Sequence, residues 1–220
     1  MNTVFNHQAA ALLPYYIQGE EVYFVFEEKS ADYNPPFFDL ALNCLGGNGI
    51  DGNEGSGQIV KREVGEEFFL RIEDADDVNK ILGQKFLMGK GKEGCEVGVE
   101  AVREVGRLLL KNIKHFADYE VGIVPPVLEK KVVYGCSLFL RELDKKDFLF
   151  VKGVIGKLDG KLTTDNIKYG SRIVAISLDE INKGKKFAWA YGYILRDFLA
   201  AKKFGKLKAS LLKEVKVERV

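Results

Sequence analysis

The chain is poor in the residues that carry much of enzyme chemistry. Only two histidines, His7 and His115, occur in 220 residues, so neither a histidine-based zinc site nor a Ser/His/Asp triad has the material it needs. The three cysteines, Cys44, Cys95 and Cys136, are far apart and form no C-x-x-C or Cys/His spacing, which points to reduced, packed thiols in a cytoplasmic protein. Charge of one sign is lacking as well. Lys and Arg (33) nearly cancel Asp and Glu (32), so there is no global positive field to gather nucleic acid or an anionic membrane, and any anionic partner must be bound locally. Long apolar runs are missing: FAWAYGYILRDFLAA is interrupted by Arg196 and Asp197, and AAALLPYYI lacks preceding basic residues and is broken by Pro14, so neither a membrane span nor a signal peptide is expected. A P-loop, G-x-x-x-x-G-K-[ST], is absent too.

What is present reads as a mixed α/β or α+β chain, long enough for one domain, residues 1–220, with an insertion. Residues 8–17 and 22–28 are aromatic and β-rich and predict two strands around Gly19. In SADYNPPFFDL the consecutive prolines Pro35 and Pro36 forbid regular structure and put Tyr33, Phe37 and Phe38 on a loop. LALNCL predicts a short buried strand, and from about Gly57 the recurrence of Val60, Val64 and Phe68 predicts a helix. Residues 71–115 read as a helical insertion with an apolar stripe through Val97, Ala101, Val102, Val105, Leu108 and Leu109. Strands are expected at 132–140, 147–155 and 171–178, a helix over about 187–204, and a solvated helix face in the lysine-rich tail KLKASLLKEVKVERV.

Gly47, Gly49 and Gly52 satisfy G-x-G-x-x-G, but no helix opens on them and no parallel strand follows soon after, so the dinucleotide reading fails. The charged residues downstream say more. On a helix Glu63, Glu66 and Glu67 project to one side, next to the apolar face of Val60, Val64 and Phe68. Like charges at that spacing repel unless a cation or a basic side chain sits among them. An oxygen-only ligand set of this kind suits Mg2+ or Mn2+ completed by substrate phosphates. Arg62 can hold Glu54 by a two-pronged hydrogen bond, fixing the glycine-rich loop against the helix start. The alternative is a merely solvated helix face.

Glu54, seven residues, then Arg62-Glu63-Val64-Gly65-Glu66-Glu67 resembles the core of the Nudix box, G-x5-E-x7-R-E-U-x-E-E-x-G-U, with U a bulky aliphatic residue. That resemblance implies a Nudix-like mixed sheet sandwiched between helices, laid over residues 8–70 and about 118–200, with 71–115 inserted after the Nudix helix. It also implies a Mg2+- or Mn2+-dependent hydrolase of a diphosphate linkage, acting on a small-molecule nucleotide such as a nucleotide sugar or an ADP-ribose-like compound. Glu66 and Glu67 would then be metal ligands, Glu63 a ligand or a base, the Gly46 or Gly47 carbonyl a further ligand, and Glu54 a partner of Arg62 or a ligand of another metal. One more carboxylate could come from Glu120, Glu142, Asp159 or Asp165, and Tyr33, Phe37 and Phe38 could stack on a nucleobase or face the core. Two departures stand out: Gly47 lies seven rather than six positions before Glu54, and Phe69 replaces the family glycine. The second predicts that the helix runs on into the insertion, since glycine is the usual stop.

Arg103-Glu104-Val105-Gly106 repeats Arg62-Glu63-Val64-Gly65 41 residues on. It is poor as a second box, because Arg107 and Leu108 stand where Glu66 and Glu67 should, and it reads as an amphipathic helix whose stripe is buried on the sheet or in a homodimer interface. The insertion would then shape substrate access or dimerise the protein. The competing function is a Nudix-fold nucleotide- or RNA-binding sensor without hydrolysis, though nucleic acid is not the expected partner. A diphosphate-utilising isomerase on a related fold would need a well-placed cysteine, for which there is no identifiable counterpart.

Overall fold

The computed structural model describes residues 8–34, 36–50, 53–70, 99–163, 166 and 169–220. Its frame is a mixed eight-stranded sheet in the order β3-β2-β1-β6-β5-β8, with β4 also on β1 and β7 also on β2. The strands are β1 Gln8–Gln18, β2 Glu21–Glu28, β3 Leu42–Asn43, β4 Leu45–Asn48, β5 Lys114–Ile123, β6 Val132–Glu142, β7 Arg172–Ser177 and β8 Val215–Arg219. β1 is the hinge of the plan. Its first half pairs with β4 (Ala9 to Leu12) and its last residues with β2 (Tyr15 to Gln18), while its other edge runs parallel to β6.

β1 is apolar nearly throughout because both faces of the sheet are covered. Ala9, Ala11, Leu13 and Tyr15 pack into one core with Ile194, Leu195, Phe198 and Leu199, whereas Ala10, Leu12 and Tyr16 pack into the other with Ile59, Val60, Val64 and Phe148. The second core lies beneath three helices: α1 Ser56–Glu67, α2 Val99–Leu110 and α3 Lys145–Lys157. The first lies beneath the short α4 Leu178–Ile181 and the longer α5 Tyr191–Lys202. The result is an α+β fold with helices on both faces. Among the described residues no helix is long and apolar enough to cross a membrane.

Four expectations need correction. Residues 147–155 are helical, inside α3, rather than a strand. Asp144 caps that helix by accepting the Asp147 N–H at 2.8 Å, and Phe148, Val151 and Val154 recur every three residues on its buried face. The aromatic and β-branched content of DFLFVKGVI suggested a strand, but this spacing and the cap prevail. Second, α1 does not run on: it ends at Glu67. Phe69 takes the left-handed conformation, φ 60°, its N–H bonds Glu66 O at 3.3 Å, and the Leu70 N–H bonds Gly65 O at 2.8 Å, which is the Schellman closure that glycine ordinarily makes. Third, the tail is no helix. Val215 and Val217 alternate with Lys216 and Glu218, and the segment pairs with β5 as an edge strand. Fourth, the end of the insertion, set at residue 115, falls inside β5, whose buried Ala117, Tyr119, Val121 and Ile123 alternate with outward residues in a period-two pattern not read from the sequence. The expected final helix over 187–204 is shorter, Tyr191–Lys202. Of the insertion, residues 71–98 lie outside the described residues.

Candidate functional site

β4 delivers two glycines to the start of the site, and both are needed for space. Gly46 has φ 124°, and a Cβ there would stand 2.3 Å from Ala10 O on β1. At Gly47 a Cβ would stand 2.5 Å from Glu63 Cδ and 2.6 Å from its Oε2. The Glu63 carboxylate therefore lies against the Gly47 backbone, in a cradle that any side chain would fill.

Arg62, only 8% exposed, ties this corner together. Its Nε and Nη2 donate to Glu54 Oε1 and Oε2 at 2.8 and 3.1 Å, the two-pronged pairing expected from the spacing. Nη2 also donates to Asn48 O at 2.7 Å, and Nη1 reaches Glu63 Oε1 at 2.8 Å and Glu66 Oε2 at 3.4 Å. Glu54 in turn accepts the Ile50 N–H at 3.1 Å, so β4, the glycine-rich loop and α1 share one guanidinium. The hydrogen bonds that Arg62 donates to Glu54, then those to Glu63, hold it far above the usual arginine range despite its burial.

Glu67 lies one turn beyond Glu63, on the side of α1 toward Lys29. Burial works against the Lys29 ammonium, but Glu27 outweighs it and Tyr33 and Glu67 add to it, so its pKa is raised. Lys29 Nζ bonds Glu27 Oε2 at 2.6 Å and lies 5.0 Å from the Tyr33 ring centre. Asn43 stands behind this pair, its Nδ2 3.3 Å from Glu27 Oε2. Its Oδ1 has no hydrogen-bond partner, alone among the buried side-chain nitrogens and oxygens of the described residues.

Beside these groups opens a cleft of about 560 Å³ lined by Glu27, Lys29, Asp32, Tyr33, Tyr169 and Ser171, among others. Of the aromatics proposed for base stacking, Tyr33 lines it. Phe38 does not: it is fully buried, its ring 4.8 Å from Trp189, and Phe37 is on the surface, 40% exposed, outside the cleft lining. The loop turns inward at Phe38 because Leu40, at φ 52°, folds its N–H back to Ser30 O, and Lys29 N–H bonds Ala41 O. Glu27, Lys29, Asp32 and Tyr169 were not singled out from the sequence, because they come from segments more than a hundred residues apart and follow no motif.

The carboxylates considered outside the box are dispersed. Glu120 is opposite Gly135 on β5, and Glu142 accepts the Tyr15 hydroxyl at 2.9 Å, at the opposite end of β1 from Gly47. Asp159 sits in the left-handed turn after α3, and Asp165 lies outside the described residues. The second REVG is a buttress. Arg103 Nε donates to Phe69 O at 3.2 Å, and a Cβ on Gly106 would meet Phe68 Cβ at 2.7 Å, so the repeat's arginine and glycine serve contact with the end of α1.

Among the described residues no three His, Cys, Asp or Glu side chains are gathered as a metal cluster. The donors nonetheless fit a hard divalent cation in kind: Glu63, Glu66 and Glu67 share one helix face, with the Gly47 backbone beside Glu63.

Comparisons with known proteins bear on the fold. No protein-family model matches the chain, and no curated protein matches it in sequence. A solved MutT/Nudix family protein from Listeria innocua is similar in structure, with a TM-score of 0.50, 11% identity, and coverage of 91% of this chain and 96% of that one. The C. elegans Ap4A hydrolase is more distant, with a TM-score of 0.40 and 14% identity over 89% of this chain and 98% of that one. The forked mixed sheet, the helices on both its faces and the likeness to the Listeria protein give one conclusion: this chain has the Nudix fold.

Proposed function

We propose that the protein is a cytoplasmic, Mg2+- or Mn2+-dependent hydrolase that cleaves the diphosphate linkage of a small nucleotide derivative. In that reaction a water oxygen bonds to one phosphorus as the bridging P–O bond breaks, giving two phosphate monoesters from a doubly esterified diphosphate. The observation that carries the reading is the Arg62 hub, which holds Glu54, Glu63 and Glu66 around the Gly47 cradle.

Glu63, Glu66 and Glu67, with the Gly47 carbonyl, would hold the cation. Once bound, it would neutralise charge developing on the diphosphate oxygens and lower the pKa of a coordinated water. The chain's own contribution is positional. Arg62 compensates the mutual repulsion of the carboxylates and fixes the Glu63 rotamer, and Gly47 leaves that carboxylate room. Lys29, held by Glu27, places one ammonium at the boundary between α1 and the cleft.

The competing reading, a nucleotide-binding module without turnover, draws on the altered glycines of the box, with Gly47 one position early and Phe69 in place of the family glycine, and on the insertion. Release of nucleoside monophosphate from a panel of nucleoside diphosphate derivatives, with and without Mg2+ or Mn2+, separates the two. The enzyme turns over at least one compound only when the cation is present, whereas the module binds nucleotide and releases nothing.

A further inference from the structure

β8 is the last strand in the sheet order and pairs with β5 on one side; among the described residues nothing pairs with its other edge. Two bonds fix the direction of its backbone groups. The Val220 N–H donates to Asp118 O at 2.9 Å, and the Val124 N–H donates to Glu214 O at 3.1 Å. Successive residues of an antiparallel strand turn their backbone groups to alternate sides, so Lys216 and Glu218 also bond toward β5. The N–H and C=O groups of Val217 and Arg219 therefore point off the sheet. On that same side the Val215 N–H is taken by Leu212 O at 3.2 Å, which leaves Val217 at the centre of the open groups.

The side chains add a charge pattern. Val215 is buried and Val217 half-buried in the core beneath α5, where Arg219 Nη1 bonds Asp197 Oδ2 at 3.2 Å. Lys216 and Glu218 are exposed and alternate with these residues, on the other face. Across the ladder Glu218 stands opposite Glu120, and Lys216 stands opposite Gly122. Like charges directly opposite one another destabilise a sheet, so β5 offers the Glu218 carboxylate a repulsive neighbour and the Lys216 ammonium no counter-charge. A complementary charge on the open side of β8 would satisfy both.

We propose that β8 is the seam of a homodimer, in which a second copy of this chain adds its own β8 antiparallel about a two-fold axis at Val217. In that register the two Val217 residues exchange N–H···O=C bonds, and the Arg219 N–H of each strand reaches the Val215 C=O of the other. Lys216 of each copy faces Glu218 of the other at a non-hydrogen-bonded position, where side chains come closest. Moving the axis to Lys216 or to Glu218 sets lysine against lysine or glutamate against glutamate, so charge selects the register. Charge of one sign along an edge repels a second copy; β8 alternates sign about Val217 and complements itself. The cleft beside β2 lies toward the other end of the strand order, and the pairing leaves it open in both copies.

The test is sedimentation equilibrium of the full chain from about 1 to about 500 μM. A pairing of five residues is short, so the dimer is expected to be reversible, with a dissociation constant in the micromolar range. Lys216→Glu and Glu218→Lys each set like charges across the seam and should each weaken it at least about tenfold. Both positions are exposed, so circular dichroism should show the fold retained. Mixed in equal amounts, the two variants restore opposite charges at both positions, and the mixture should associate within about threefold of wild type. A wild type that stays monomeric throughout, a dimer indifferent to both reversals, or a mixture that associates no better than either variant alone overturns the proposal.

Discussion

Gly47 and Glu63 make a contact in the candidate site that one substitution can probe. A methyl at Gly47 would overlap the Glu63 carboxylate, 2.5 Å from its Cδ. The obstacle is the end of a flexible side chain rather than backbone, so it can move aside at small cost to folding. Gly47→Ala should therefore change the unfolding free energy read from urea denaturation by less than about 1 kcal/mol. It should lower metal-dependent turnover about a hundredfold, the scale expected when a reacting group is misplaced by an ångström. At this scale the sequence was legible where the chemistry is local. The pairing of Arg62 with Glu54 follows from E-x7-R, and both prongs are formed. Reading Phe38 as a base-stacking residue was less successful, because its burial depends on Trp189, 151 positions away, and nothing local specifies that contact.

Among the elements, α1 carries the candidate site, and its two ends explain its length. Gln58 Oε1 accepts the Gly55 N–H at the start, and the left-handed Phe69 closes the end. Phe69 is also fully buried in the core shared by α1, α2 and α3. Two effects thus compete in Phe69→Gly: relief of a left-handed non-glycine residue, about 1–2 kcal/mol, and loss of a buried aromatic side chain, about 3–5 kcal/mol. Packing wins. The variant should be destabilised by about 2–3 kcal/mol in urea unfolding, although glycine is the better stop for a helix. The replaced glycine was read correctly as a departure but wrongly as a continuation, because backbone preference is visible in sequence and the depth of a pocket for Phe69 is not. β5 was missed for a related reason. Its inward residues include Ala117 and Tyr119, weaker signals than a Val/Ile run, and its partner β8 is distant in the chain.

Across the whole molecule, stability should fall at both ends of the pH scale, for separable reasons. Burial opposes the Glu28 charge, but Lys185 and Arg172, the latter at 2.7 Å, hold its carboxyl below the usual range. That stability is present above the unfolded carboxylate pKa, about 4.3, and is lost as pH falls through the lower folded value. The thiols act in the opposite direction. Burial pushes Cys136 up to about 12 and Cys44 well above its usual value. Unfolded thiols ionise near 8.5, so this contribution is intact below that pH and declines as pH rises toward 12. Urea midpoints followed from pH 3 to 11 should show both limbs. Glu28→Gln should flatten the acid limb, and Cys136→Ala the alkaline one. For Cys44 and Cys136 the same burial agrees with the reading of packed thiols drawn from cysteine spacing, while Cys95 lies outside the described residues.

The most direct measurement is Mg2+-dependent turnover of the best compound in the nucleoside diphosphate panel by three proteins: wild type, Glu67→Gln and Glu104→Gln. Glu104 occupies the second REVG, paired with Arg107 at 3.1 Å on a half-exposed surface. If the α1 glutamates hold the cation, Glu67→Gln loses about a hundredfold or more in kcat, while Glu104→Gln stays within about twofold of wild type. Equal turnover by all three proteins would contradict a catalytic role for the α1 face.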